Sequence, residues 1–115
     1  MSEKVKAHLR CAVNKELDRA KEKYGETFVD GNHAYGVLAE EMHELNNETK
    51  ALQELASIHF KAVMEEDVEK QKTTLRCMRF SSECLLLEAV QANAMIIKAL
   101  ESIGELAEFK EVQNG

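Results

Sequence analysis

Proline and tryptophan are both absent from the 115 residues, glycine occurs five times, and aromatic residues make up only 5%. Without proline, and with few β-branched runs, the chain lacks the turn chemistry and packing residues of a sheet. A nearly all-helical domain is the expectation. No apolar run approaches the roughly 18 residues of a membrane span, so no membrane partner is expected. The N-terminal "MSEKVKAHLR" has no apolar signal core, which points to a cytoplasmic protein. An excess of basic residues is also missing. The formal net charge of −6 argues against nucleic acid as a partner, and an anionic small molecule would need a cation to mediate its binding. Only three cysteines occur, in no zinc-like spacing. Cys77 and Cys84 are seven apart on one expected helix, about 10 Å along its axis, too far for an intramolecular bond. Reduced thiols acting as small hydrophobes follow. No glycine-rich phosphate loop or Ser-His-Asp pattern is visible.

What remains is apolar residues at helical spacing, 44% of the chain, and 31% charge. A chain of this length makes one domain, residues 1–115. A first helix is expected from about Ser2 to Tyr24, with Val5, Leu9, Val13, Leu17 and Ala20 as its apolar stripe. Gly25 suits its C-terminal cap, and Asp30-Gly31-Asn32 supplies a turn and an N-cap for the next helix. That second helix starts near His33 and runs to at least Glu48, with Asn46-Asn47 the expected bend or stop. Lys50 to Val63 regains a helical period, and "EEDVEKQKTT" reads as a loop or the exposed start of a third helix. The third helix covers roughly Thr74 to Ile103, ends at Gly104, and is followed by a short helix from Glu105 to Val112.

Carboxylates interrupt the apolar faces. At about 100° per residue, Ala34, Val37, Leu38, Leu45, Leu52 and Leu55 share a face with Glu41. Glu48 lies on that face, Glu44 at its edge, and Glu40 beside it. On the third helix Cys77, Ser81, Cys84, Leu85, Ala92, Met95 and Ala99 surround Glu88, with Gln91 at the edge. A buried ionised carboxylate is costly unless protonated, paired or bound to metal. Lys50 and Arg79 point away from these faces, so pairing is poorly supplied. Hard Mg²⁺ or Mn²⁺ takes oxygen ligands and fits such a set.

At these residues the chain resembles the MazG-like, all-α nucleotide pyrophosphohydrolase superfamily. Glu40-Glu41-Met42-His43-Glu44 matches the Glu-Glu-x-x-Glu half of its signature. "EAVQANAMIIKAL" is similar to the Glu-x-x-Asp half, with Glu88 in place and Gln91 where the family has aspartate. "YGETFVDGNHAYGVLAEEMHEL" is also similar to small phage and prophage members. The resemblance spans roughly Tyr24 to Leu100. The interval between Glu44 and Glu88 is long for the family, which implies an inserted helical segment around Lys50 to Val63.

The resemblance implies a MazG-like helical bundle completed as a homodimer or homotetramer, with sites formed partly at subunit contacts. It implies Mg²⁺- or Mn²⁺-dependent hydrolysis of a nucleoside triphosphate to the monophosphate and pyrophosphate. Glu41, Glu44, Glu88 and Gln91 would face the metal, Glu41 would serve catalysis, and Glu40 would add a ligand or orient the water. Glu48, one turn beyond Glu44, would restore the charge missing at Gln91. Two other readings stand beside this one: a non-catalytic member that binds a nucleotide or a host protein, and a structural oligomer with no ligand.

The remaining residues read as structural. His43 points away from Glu41, and His8, His33 and His59 have no partners at ligand spacing. Lys98 suits a helix C-terminus through the dipole, although it could meet a phosphate. Met42, Met64, Met78 and Met95 read as core filler, and Tyr24, Phe28 and Tyr35 as the closure of one end of the bundle.

Overall fold

The computed structural model describes residues 2–104, and these form three α-helices with no strand among them. Helix α1 spans Glu3–Tyr24, α2 spans Gly31–Met64 and α3 spans Val68–Ser102. The short helix expected from Glu105 to Val112 lies outside the described residues.

Each helix end has a local cause. Ser2 caps α1 by accepting from the Val5 amide at 3.2 Å, and Gly25 ends it at a φ of 102°. Few residues other than glycine adopt that conformation. Asp30 opens α2: its Oδ1 accepts from the His33 amide at 2.8 Å, satisfying an otherwise orphaned donor.

Asn46 and Asn47 do not break α2, which runs unbroken for 34 residues. The segment expected as a separate insertion after Lys50 is therefore its second half. Asparagine disfavours a helix interior because its side chain competes for backbone groups, at a cost of well under 1 kcal/mol per residue. Here Asn47 Nδ2 instead meets His43 Nε2 one turn back, at 3.3 Å.

The α2–α3 connection takes three residues. Glu66 adopts the left-handed conformation, with φ 56°. Its amide donates to the Val63 carbonyl at 3.1 Å, and that of Asp67 to the Ala62 carbonyl at 3.0 Å. This pair of bonds closes the helix C-terminus as a Schellman motif. Asp67 then caps α3, its Oδ1 accepting from the Lys70 amide at 3.0 Å. Because Asp67 can act as an N-cap, α3 begins at Val68, six residues before the expected Thr74.

The chain forms two compact units, one from Met1–Met42 with Val90–Gly115 and the other from His43–Ala89. In the first, Val13, Leu17, Ala20, Phe28, Ala94 and Met95 form a buried cluster, with Ala34, Val37, Leu38 and Val90 packed against it. Leu17 is 1% exposed, and burying such a side chain contributes about 2 kcal/mol. Val5 and Leu9, expected on the same stripe, are exposed. Of the three aromatic residues expected to close one end, only Phe28 is buried; Tyr24 and Tyr35 face solvent. The Phe28 amide donates to Ser102 Oγ at 2.9 Å, tying the α1–α2 connection to the end of α3.

In the second unit α2 and α3 form a hairpin. His59 Nδ1 lies 2.9 Å from Thr74 Oγ1, and Gln71 Nε2 donates to the Ala62 carbonyl at 3.4 Å. Thr74 Oγ1 also lies 3.0 Å from two backbone carbonyls, to which only a hydroxyl proton can donate. The hydroxyl therefore accepts from His59, which places the proton on Nδ1.

The turn makes a testable statement. Asp67→Ala should lower stability by about 1 kcal/mol through loss of the cap. Glu66→Gly should raise it by about 0.5 kcal/mol by relieving the left-handed residue. Thermal unfolding of both variants reads the difference, and equal midpoints would contradict the turn geometry.

Candidate metal centre

Glu41 and Glu44 lie one turn apart on α2, where the helix repeat puts them on one face. Glu88 lies on α3 at the level of Glu44, as the register that pairs His59 with Thr74 requires. One carboxylate oxygen from each of the three residues lies within 4.8 Å of the other two. All three side chains are half-buried. The apolar residues expected around Glu41, from Ala34 to Leu55, are likewise half-buried. Around Glu88, Ser81, Ala92 and Met95 are buried.

Two unit negative charges about 5 Å apart repel by roughly 3 kcal/mol at an effective dielectric of about 20. Three carboxylate oxygens so placed form a set that a single cation could bridge. The donor set is all oxygen and half-sheltered, which matches what Mg²⁺ and Mn²⁺ take and leaves coordination positions for phosphate and water. Among the described residues this is the one group of three or more His, Cys, Asp or Glu side chains close enough to hold a metal ion.

The other expected site residues are placed differently. Glu40 is exposed and does not belong to the three-carboxylate group. Glu48 is half-buried one turn beyond Glu44 and is also outside the group. Gln91 is half-buried on α3, three residues after Glu88. Lys50 and Arg79 point outward as expected; both are exposed, and Arg79 pairs with Glu83 at 3.5 Å.

Several side chains depart from the reading of the sequence. Lys98 is not a surface residue near a helix end. It is 2% exposed, with its Nζ 4.6 Å from the centre of the Phe28 ring. A cation over an aromatic face retains part of its stabilisation out of water, which lets the long stem fill the core. Met42 and Met64 are exposed, so of the four methionines read as core filler only Met95 belongs to the buried cluster.

One feature escaped the sequence reading: a groove of about 520 Å³ on the hairpin. Its α2 wall is Glu48, Ala51 and Leu55; on α3, Cys77, Phe80, Ser81 and Cys84 line it, with Arg76 at one end. The available signal was the run of small residues at 77, 81 and 84 beside an exposed aromatic.

No helix of the described chain is long and apolar enough to cross a membrane. Compared with protein-family models, with curated proteins and with solved structures, the chain matches none. The class defined by fold and site is thus an all-α chain with a three-carboxylate centre on two helices.

If this centre binds metal, the loaded protein is the more stable form. Mn²⁺ should raise the unfolding midpoint of the wild type. Glu44→Gln should abolish the Mn²⁺-dependent rise. Calorimetric titration should show Gln91→Asp binding Mg²⁺ more tightly than the wild type, and unchanged affinity would place Gln91 outside the shell.

Proposed function

We propose that this chain is a Mg²⁺- or Mn²⁺-dependent nucleoside triphosphate pyrophosphohydrolase of MazG-like type, working as a homodimer or homotetramer. The observation that carries the reading is the meeting of Glu41, Glu44 and Glu88, from the two halves of the signature, within 4.8 Å. Glu-rich helices are common, but a signature split by more than 40 residues that converges on one point is not expected from composition.

Glu41, Glu44 and Glu88 hold the ion, and Gln91 contributes its amide oxygen from the next turn of α3. A divalent cation at this point neutralises triphosphate charge and lowers the pKa of bound water. Glu40, exposed beside Glu41, accepts the proton of the attacking water or orients it toward the bond between the α- and β-phosphates. The acidic chain offers the phosphates little other attraction, so substrate binding depends on the loaded centre. The small phage or prophage character of the chain belongs to the same reading.

A second reading is a non-catalytic member that binds a nucleotide or a host protein. Gln91 favours it, because a neutral amide replaces a carboxylate and weakens the hold on the ion.

Pyrophosphate release from a panel of ribo- and deoxyribonucleoside triphosphates with Mg²⁺ or Mn²⁺ tests the proposal. The wild type should release pyrophosphate from at least one of them. Glu41→Gln should lower kcat by about 100-fold or more, corresponding to roughly 3 kcal/mol of barrier. Nucleotide binding without turnover would instead establish the second reading.

A further inference from the structure

We propose that the groove on the α2–α3 hairpin is the nucleoside subsite of the metal centre and that it selects a guanine ribonucleotide, the base stacked on Phe80. The proposal rests on the reading of Glu44 and Glu88 as metal ligands, and it adds where the sugar and base of the substrate lie.

The groove and these two carboxylates belong to one compact unit, His43–Ala89. They also share a face. At about 100° per residue, Glu44, Glu48, Ala51 and Leu55 project from α2 within about 60° of one another. On α3, Cys77, Phe80, Cys84 and Glu88 fall within about 80°. Glu48 lies one turn beyond Glu44, and Cys84 one turn before Glu88. Because Glu48 and Cys84 both line the groove, it continues the centre along the hairpin.

Distance along α3 orders what the groove can hold. At about 1.5 Å per residue from Glu88, Cys84 lies about 6 Å away, Phe80 about 12 Å and Arg76 about 18 Å. A nucleoside triphosphate with its phosphates on the ion puts its sugar at the first level and its base at the second. The volume of about 520 Å³ has room for both and is ordinary for a ligand pocket.

Each level carries matching chemistry. At the first, the half-buried Glu48 carboxylate accepts hydrogen bonds from the ribose hydroxyls. At the second, Phe80 is 70% exposed and offers a ring face to the base, while the small Ala51 on the α2 wall leaves room for it. At the third, Arg76 closes the far end, which a purine approaches more nearly than a pyrimidine. Its forked donors pair with O6 and N7 of guanine, whereas adenine presents an amino group where O6 would be. Among the described residues no carboxylate holds the Arg76 guanidinium in an ion pair.

Calorimetric titration of the full chain with Mn²⁺ separates groove from centre. The probes are inorganic tripolyphosphate and the α,β-methylene analogues of GTP, dGTP and ATP, which resist cleavage at the proposed bond. The GTP analogue should bind about 10-fold or more tighter than tripolyphosphate, and tighter than the other two analogues. Phe80 and Arg76 are exposed, so both substitutions should leave helicity intact. Phe80→Ala should weaken the GTP analogue by about 10-fold and leave tripolyphosphate unchanged. Arg76→Ala should cut the preference for guanine over adenine by about 10-fold. Glu48→Gln should remove the preference for the ribose form. In Cys11→Ser protein, the GTP analogue should also slow alkylation of Cys77 and Cys84. Equal affinity for the GTP analogue and tripolyphosphate, an affinity unmoved by Phe80→Ala, or thiols left unshielded would overturn the proposal while the metal centre stands. Failure of tripolyphosphate and every analogue to bind with Mn²⁺ would overturn both, and leave the groove to a partner helix.

Discussion

The three-residue connection between α2 and α3 is the constraint on which the rest of the molecule depends. Glu65, Glu66 and Asp67 end one helix and start the next, with no residue to spare. A turn that closes so tightly permits one register. Thr74 then lies opposite His59, and Glu88, one hairpin length away, lies opposite Glu44. Inserting one residue in the turn would rotate α3 by about 100° and carry Glu88 off the inner face. The position of the carboxylates thus follows from backbone hydrogen bonds some 20 residues away.

Glu41, Glu44 and Glu88 each bring one carboxylate oxygen within 4.8 Å of the others. The buried core lies elsewhere, in the cluster around Leu17, Phe28 and Met95, beside which the Lys98 stem is buried with its charge against Phe28.

The hairpin carries a tension of its own. Its outward residues include Phe60, Leu75, Phe80 and Leu87, an unusually apolar set for a surface. The free thiols of Cys77 and Cys84 lie in the groove among them. A lone hairpin would hold little of its own stability, and the same apolar groove that weakens it in isolation is what a bound nucleoside would cover.

Helix type, the cap at Gly25, and the presence of carboxylates on the apolar faces of two helices were legible from residue spacing, because period and capping are local properties of the chain. Other features were not. Asn46-Asn47 looked like a break, yet an unfavourable propensity of a few tenths of a kcal/mol yields to the packing of a long helix. Lys98 read as suited to a helix C-terminus and not as a core residue, because nothing near it in sequence reveals that Phe28, seventy residues earlier, supplies an aromatic face. Val5, Leu9, Met42 and Met64 have the spacing of core residues but remain exposed, since periodicity says which face a side chain shares and not what lies against it. The sequence by itself therefore determined where helices start and which carboxylates share a face. The tertiary structure alone decided which faces are covered and that Glu88 comes within reach of Glu44, because burial and proximity across helices depend on contacts distant in the chain.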